Sequence, residues 1–325
     1  VVTGNNNASE TFYNVNISST YPPVATNDGN LTGQKKAYGV FGNEDYAYIA
    51  TDTSKKQGVI IELTSHTETG WLDIDSASVN GRSIVVAGDY AYISGTNSKI
   101  YAFDVSNKTG TRTSLSNVTL TATAIKLVYV SGNLYAALDS SSNQLAIIPV
   151  SGSSFSAPQY VTVSGQNGRD VYVNPLLANP TRAYLATSTS VSQSELFVID
   201  IPNRQVLASQ DTNGMDPYGV LAVTNNKVVI AGTGGYEYQV YNYNDSTRTF
   251  SSCTSGAGLL NIDAGIRSVA AVITNEYAYT YLLTGDRASE FKIIEGGPTG
   301  QSALSGTFTS AAFDAGQSTA FNLLS

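Results

Sequence analysis

Short apolar and aromatic runs alternate with turns rich in Gly, Asn, Asp and Ser along most of the chain. In residues 81–106, the run RSIVVA is followed by the turn GD, the run YAYIS, a polar loop and the run IYAFDV. β-Branched and aromatic residues fill these runs, and no stretch sustains the period of a helix. Short strands separated by turn signals predict an all-β fold.

The pattern recurs along the chain with a period of about 45 residues, a length typical of propeller blades. The position of the second tyrosine in YAYIS marks the period, with intervals of 44, 44, 48, 45 and 50 residues. The marked residues are Tyr48, Tyr92, Ala136, Tyr184, Val229 and Tyr279. A repeat of this length with four strands per unit predicts a β-propeller.

The two ends of the chain resemble the missing parts of one more repeat. Residues 317–325 (QSTAFNLLS) match a first strand, and residues 1–18 match a second and a third strand. The six complete repeats and this split one predict a seven-bladed propeller that forms a single domain over residues 1–325. Residues 1–33 and 317–325 should together complete the seventh blade and so cover the exposed edge strands. A segment such as a signal peptide or an anchor is expected before Val1.

Three segments carry a resemblance to a known family: GDYAYIS at residues 88–94, KIYAFDVSN at residues 99–107 and AYGV at residues 37–40. They resemble the LVIVD and YVTN repeats of bacterial and archaeal surface propellers. The resemblance extends over essentially the whole chain, although the later repeats differ in loop length and the fifth has KVVIAG in place of YAYIAT. It implies a propeller exposed at the cell surface and no particular activity.

Charged residues make up 13% of the chain, about half of the usual ~25%. Hydroxyl and amide side chains supply the polarity instead, which favours an extracellular or cell-surface protein. The formal net charge is −8 and the pI is about 4.6, so a nucleic-acid backbone would be repelled. No run of 18 apolar residues is present, so no membrane span is expected.

Candidate catalytic and metal-binding residues are few. His66 is the single histidine and Cys253 the single cysteine, so we predict no catalytic residues, no metal site and no cofactor. Asp28 and Asp139 lie in turn-like segments that lack the spacing of a complete calcium loop. The paired tyrosines of the YAY segments should pack between blades rather than stack on carbohydrate, so we expect Tyr48, Tyr92, Tyr184 and Tyr279 to be buried.

One set of residues occupies the turn before each first strand, where a propeller opens into its central channel. Its members are Tyr38, Arg82, Lys126, Arg169, Tyr218, Arg267 and, in the split blade, Gln317. Four of these seven are basic, although Lys and Arg total only 17 of 325 residues. The pattern predicts an anion-binding site at one mouth of the channel, formed by the first six. The alternative is that these cations pair with Asp170, with Asp216 or with backbone carbonyls.

Three functional hypotheses follow. The first is a non-enzymatic extracellular or cell-surface adhesion module that binds an anionic glycan or a protein at the channel mouth. The second is a subunit of a surface assembly such as a pilus, a sheath or a surface layer. The third is a hydrolase or lyase that acts on an anionic polymer, for which two carboxylates, or a tyrosine and an arginine, must converge on one substrate atom.

Overall fold

The computed structural model forms an all-β propeller. The residues that it describes are 10–16, 26–32, 36–74, 78–223, 226–253, 258–262, 264–273, 278–285 and 291–296. Within these residues there is no helix, and hence none long and apolar enough to cross a bilayer. Their strands form six blades and a separate two-stranded hairpin.

The hairpin comes first in the chain, followed by blades 1 and 2. The hairpin pairs β1 (Glu10–Asn16) with β2 (Thr26–Thr32). Blade 1 contains β3 (Ala37–Gly42), β4 (Tyr46–Thr51), β5 (Gly58–Glu62) and β6 (Thr67–Asp73). Blade 2 contains β7 (Gly81–Ala87), β8 (Tyr90–Gly95) and β9 (Lys99–Asp104). Next, β10 (Gly110–Thr113) pairs in parallel with β6, and β11 (Ser116–Thr119) pairs with β9.

The remaining four blades repeat the antiparallel order. Blade 3 contains β12 (Ala124–Val130), β13 (Asn133–Leu138), β14 (Leu145–Ser151), β15 (Ser154–Phe155) and β16 (Gln159–Val161). Blade 4 contains β17 (Gly168–Val173), β18 (Arg182–Thr187), β19 (Leu196–Asp200) and β20 (Gln205–Gln210). Blade 5 contains β21 (Asp216–Ala222), β22 (Lys227–Thr233), β23 (Tyr238–Asn244), β24 (Thr249–Ser252) and β25 (Leu259–Leu260). Blade 6 contains β26 (Ile266–Ile273), β27 (Ala278–Thr284) and β28 (Phe291–Gly296).

The first strand of each blade is its inner strand. The inner strands lie side by side in chain order, β3 beside β7, β7 beside β12, β12 beside β17, β17 beside β21 and β21 beside β26. The blades themselves coincide with the six complete repeats of the sequence, so the repeat assignment is confirmed.

The prediction of a seventh blade is wrong, because the described strands form six blades. Residues 11–16, part of the segment expected to supply the second and third strands of the seventh blade, lie in β1 and pair with β2 in a local hairpin. A hairpin with a short connection loses less chain entropy on closure than the pairing of two chain ends does. The segment NDGN, interpreted as a turn, is part of β2. Residues 317–325 lie outside the described part of the chain.

The core consists mainly of the second and third strands of each blade, which pack against the neighbouring blades. Tyr48 is 0% exposed, Tyr92 is 2% exposed and Tyr184 is 5% exposed, so the prediction of buried tyrosines is confirmed for these three. Tyr279 is only half-buried. The burial of three rings removes the basis for a carbohydrate-stacking surface at these positions.

A buried amide or carboxylate precedes the third strand in four blades, at Gln57, Gln144, Glu195 and Glu237. Each side chain accepts a hydrogen bond from a backbone N–H in the segment that follows the last strand of its blade, which is β6, β16, β20 or β25. Gln144 also donates to the carbonyl oxygens of Val163 and Gly165, at 3.3 and 3.1 Å. These side chains fasten the connections between blades and hold the inner strands in position.

Candidate anion-binding site at the inner-strand bulges

Every inner strand of the six described blades has a β-bulge near its first residue. The register skips one residue in each strand, and that residue has no partner in the second strand. The skipped residues are Tyr38, Arg82, Ile125, Arg169, Tyr218 and Arg267. A bulge re-aims the side chain that it carries. Five of the six residues predicted from the sequence therefore share one structural position.

Lys126 does not share it. The bulge of β12 falls on Ile125, and Lys126 pairs with Ala137 in the position that Ser83 and Asp170 occupy in their own blades. The comparison of the repeats with one another therefore placed Lys126 one residue away from the true bulge position. A small residue precedes several of the bulges because the site is crowded: a Cβ at Gly81 would lie 2.5 Å from the Gln57 carbonyl oxygen. Counting from the small residue Ala124 would have identified Ile125.

The bulged ends of the inner strands lie level with one another. The N–H of Leu127 donates to Ser83 Oγ at 3.0 Å, which joins blades 2 and 3. The N–H of Val220 donates to Asp170 Oδ2 at 2.9 Å, which joins blades 4 and 5. These contacts connect equivalent levels of adjacent inner strands, so the bulge residues lie at one end of the inner strands.

Arginine and tyrosine side chains contact each other across the blades at this end. The Arg82 guanidinium carbon lies 4.8 Å from the centre of the Tyr38 ring. The guanidinium carbons of Arg267 and Arg169 lie 5.0 and 5.6 Å from the centre of the Tyr218 ring. All three distances are within the ~6 Å range of cation–π attraction. We call Tyr38, Arg82, Arg169, Tyr218 and Arg267 the bulge cluster.

The three arginines of the bulge cluster differ in their acidic neighbours. Arg169 Nη2 lies 3.7 Å from Asp216 Oδ2. For this cation, the alternative prediction of pairing with Asp216 therefore holds. Within the described residues, Arg82 and Arg267 have no ion pair. Arg267 is exposed and Arg82 is half-buried. The bulge cluster therefore presents two guanidinium groups that no described carboxylate neutralises.

Lys126 and Asp170 form the electrostatic surroundings of the bulge cluster. Burial raises the pKa of Asp170, while the charge of Lys126 and hydrogen bonds from the N–H groups of Val220 and Val171 oppose that rise. Asp170 is thus a structural acceptor between blades, and Lys126 is an exposed cation one residue from the bulge.

The other residues considered in the sequence take structural positions. His66 lies in the turn between β5 and β6 with a φ of 53°. Asp139 accepts a hydrogen bond from Asn167 Nδ2 at 2.7 Å. Across the described ranges, no group of three or more His, Cys, Asp and Glu side chains is arranged to hold a metal ion.

Solved structures with similar folds are β-propellers of low sequence identity. A chain in a crystal structure of the mitotic checkpoint complex has a TM-score of 0.66 at 9% identity, over 88% of this chain and 83% of that one. The β-propeller domain of Cps50 (Swd1) from Myceliophteria thermophila has a TM-score of 0.54 at 12% identity, over 81% and 87%. At such identities the similarity shows the fold alone.

The sequence comparisons assign no family. No protein-family model matches the chain, and no curated protein sequence matches it. The resemblance to LVIVD and YVTN repeats is therefore not confirmed, whereas the propeller fold is.

Proposed function

We propose that this chain is a non-catalytic binding module whose bulge cluster binds carboxylate groups of an acidic protein segment. One observation carries the proposal: Arg82 and Arg267 lie at the same end of the inner strands, each against a tyrosine ring, without a described acidic partner. A guanidinium is planar and presents a fork of N–H donors that matches a carboxylate.

The charge distribution supports an anionic ligand. The whole chain carries a formal charge of −8, so random contact with acidic molecules is disfavoured. Cations gathered at one end of such a protein focus a local positive field. The tyrosine rings hold the guanidinium groups in place, which lowers the entropy lost when a ligand binds.

The proposal includes an extracellular or cell-surface location. The low content of charged residues, 13%, and the resemblance of the repeats to those of surface propellers support it. The hydrolase or lyase alternative receives no such support, since the carboxylate nearest Arg169, that of Asp216, is already engaged with Arg169 and with the N–H of Thr189.

The test is titration of a synthetic octaglutamate peptide against the wild-type chain and an Arg82→Gln, Arg267→Gln double variant. Exposed ion pairs contribute about 0.2–1 kcal/mol each, so the double variant should bind about two- to thirtyfold more weakly. Binding should also weaken as salt rises, because exposed charges are screened.

The matched control is an Arg204→Gln, Arg248→Gln double variant. Both of these arginines are exposed and have positive φ values, 55° and 54°. The control variant therefore loses two positive charges, as the test variant does, but away from the bulge cluster. An equal loss of affinity in both double variants, or no binding by the wild type, would contradict the proposed function. A hexagalacturonate titration in parallel distinguishes an acidic glycan from an acidic peptide.

A further inference from the structure

Asp216 is held in place by two separate contacts. It is the first residue of β21, and its Oδ1 accepts a hydrogen bond from the N–H of Thr189 at 3.0 Å. Its Oδ2 lies 3.7 Å from Arg169 Nη2. The backbone contact positions the carboxylate independently of the arginine, so Asp216 stays beside the bulge cluster whether or not Arg169 is engaged elsewhere.

The position of Asp216 makes Arg169 and Arg267 differ in how readily each can bind an acidic ligand. Arg169 and Arg267 both contact the ring of Tyr218, yet among the described residues only Arg169 has a carboxylate beside it. Arg267 is exposed, and no described carboxylate opposes an incoming one there. The same group at Arg169 meets the negative charge of Asp216, which repels it and is already paired with the guanidinium.

We infer that Asp216 is an internal competitor for the proposed ligand, and that it limits the affinity of the site by occupying Arg169. This inference rests on the proposed function. An acidic segment should bind to Arg82 and Arg267 first, and Asp216 should determine how strongly that segment is held. A ligand can bind to Arg169 only if it displaces the Asp216 carboxylate.

The experiment compares octaglutamate binding by the wild type and by Asp216→Asn. Asparagine keeps an Oδ1 acceptor for the Thr189 N–H but removes the charge. Affinity should rise by about 1.4- to fivefold, the range expected for one exposed ion pair. Matching melting temperatures of the two proteins will show that the variant keeps its fold.

The control is Asp245→Asn, which also removes one carboxylate paired with an arginine. Asp245 Oδ1 lies 3.0 Å from Arg182 Nε. Arg182 is the first residue of β18 and follows the far end of β17, whereas Arg169 lies near the start of β17. The control therefore changes the net charge equally but at the opposite end of the blade, and its affinity for octaglutamate should rise less.

Arg169→Gln in two backgrounds completes the test. In the wild-type background it should change affinity little, because Asp216 already occupies this cation. In the Asp216→Asn background it should abolish the gain. If the wild type binds and Asp216→Asn binds no more tightly than Asp245→Asn, the inference is overturned and the proposed function stands. If the wild type does not bind, whether or not Asp216→Asn does, the proposed function is overturned and the inference that rests on it falls as well.

Discussion

The buried tyrosines of blades 1 and 2 occupy equivalent positions but differ in what their hydroxyl groups contact. Tyr92 donates from its hydroxyl to the Gly152 carbonyl oxygen at 2.6 Å. The hydroxyl oxygen of Tyr48 is buried and has no hydrogen-bond partner among the described residues. A buried polar group without a partner costs about 1–3 kcal/mol. The ring supplies the stabilising contact at both positions, but the hydroxyl contributes only at Tyr92.

This difference predicts opposite effects of the same substitution. Tyr48→Phe should leave the free energy of unfolding unchanged or raise it by about 1 kcal/mol, because it removes an unsatisfied hydroxyl. Tyr92→Phe should lower it by about 0.5–1.5 kcal/mol, because it removes a hydrogen bond. Urea unfolding of both variants measures the two values. Equal destabilisation by both substitutions would contradict the assignment.

Some residues of the candidate site could be predicted from the sequence and others could not. The positions of Arg82, Arg169 and Arg267 could be predicted because each lies at the same offset in a clear repeat. Ile125 could not be identified by its residue type, because a bulge is defined by how two strands pair rather than by the residue it carries; only its place after the small residue Ala124 marks it. Asp216 was predicted as an alternative partner of the cations, but its pairing with Arg169 in particular and its contact with the N–H of Thr189 depend on how the strands are placed.

At the scale of elements, the connections between blades depend on buried side chains that the repeat pattern did not reveal. Gln144 is 0% exposed. Its amide nitrogen donates to backbone carbonyls on two segments, and its oxygen accepts from the N–H of Val163 at 3.1 Å. The crowding around Gly168, where a Cβ would lie 2.6 Å from the Gln144 carbonyl oxygen, brings this connection against the inner strand.

We therefore expect Gln144→Ala to destabilise blade 3 strongly. The substitution leaves several buried backbone groups unsatisfied, so the free energy of unfolding should fall by about 2–4 kcal/mol. Gln205→Ala serves as the control because Gln205 is exposed on β20; its effect should stay within about 0.5 kcal/mol. Thermal unfolding of the two variants measures the difference. A loss in Gln144→Ala no greater than in the control would show that the Gln144 hydrogen bonds are dispensable for stability.

At the scale of the whole molecule, the propeller could be predicted from the period of the repeat, but the number of blades could not. The six complete repeats became six blades because each contains its own hairpins and apolar faces. The prediction of a seventh blade from the two ends of the chain depended on resemblance to single strands, without a complete set of hairpins within one segment. In the pairing of β1 with β2, the first of these end segments takes the partner that is nearest along the chain.

The distribution of buried tyrosines over the blades gives the molecule a characteristic response to alkaline pH. Burial, as the largest cause, raises the pKa values of Tyr48, Tyr92, Tyr184 and Tyr241 to about 12. Tyrosine in an unfolded chain has a pKa of about 10. The folded state therefore holds these four protons more tightly than the unfolded state does, and the neutral hydroxyl is the form compatible with the packed blades.

The stability contributed by these tyrosines is fully present below about pH 10 and is lost as pH rises towards about 12, because the unfolded chain releases its protons first. We expect the free energy of unfolding, measured in urea at pH 8, 9.5, 10.5 and 11.5, to be steady between the first two values and to fall across the last two. Absorbance at 295 nm should show ionisation of these four rings together with unfolding, since they lie in blades 1, 2, 4 and 5 of one structure. Tyr92→Phe should make the decline shallower, because one of the four protons no longer takes part. A free energy of unfolding that stays constant up to pH 11.5 would mean that these hydroxyls ionise without disrupting the blades.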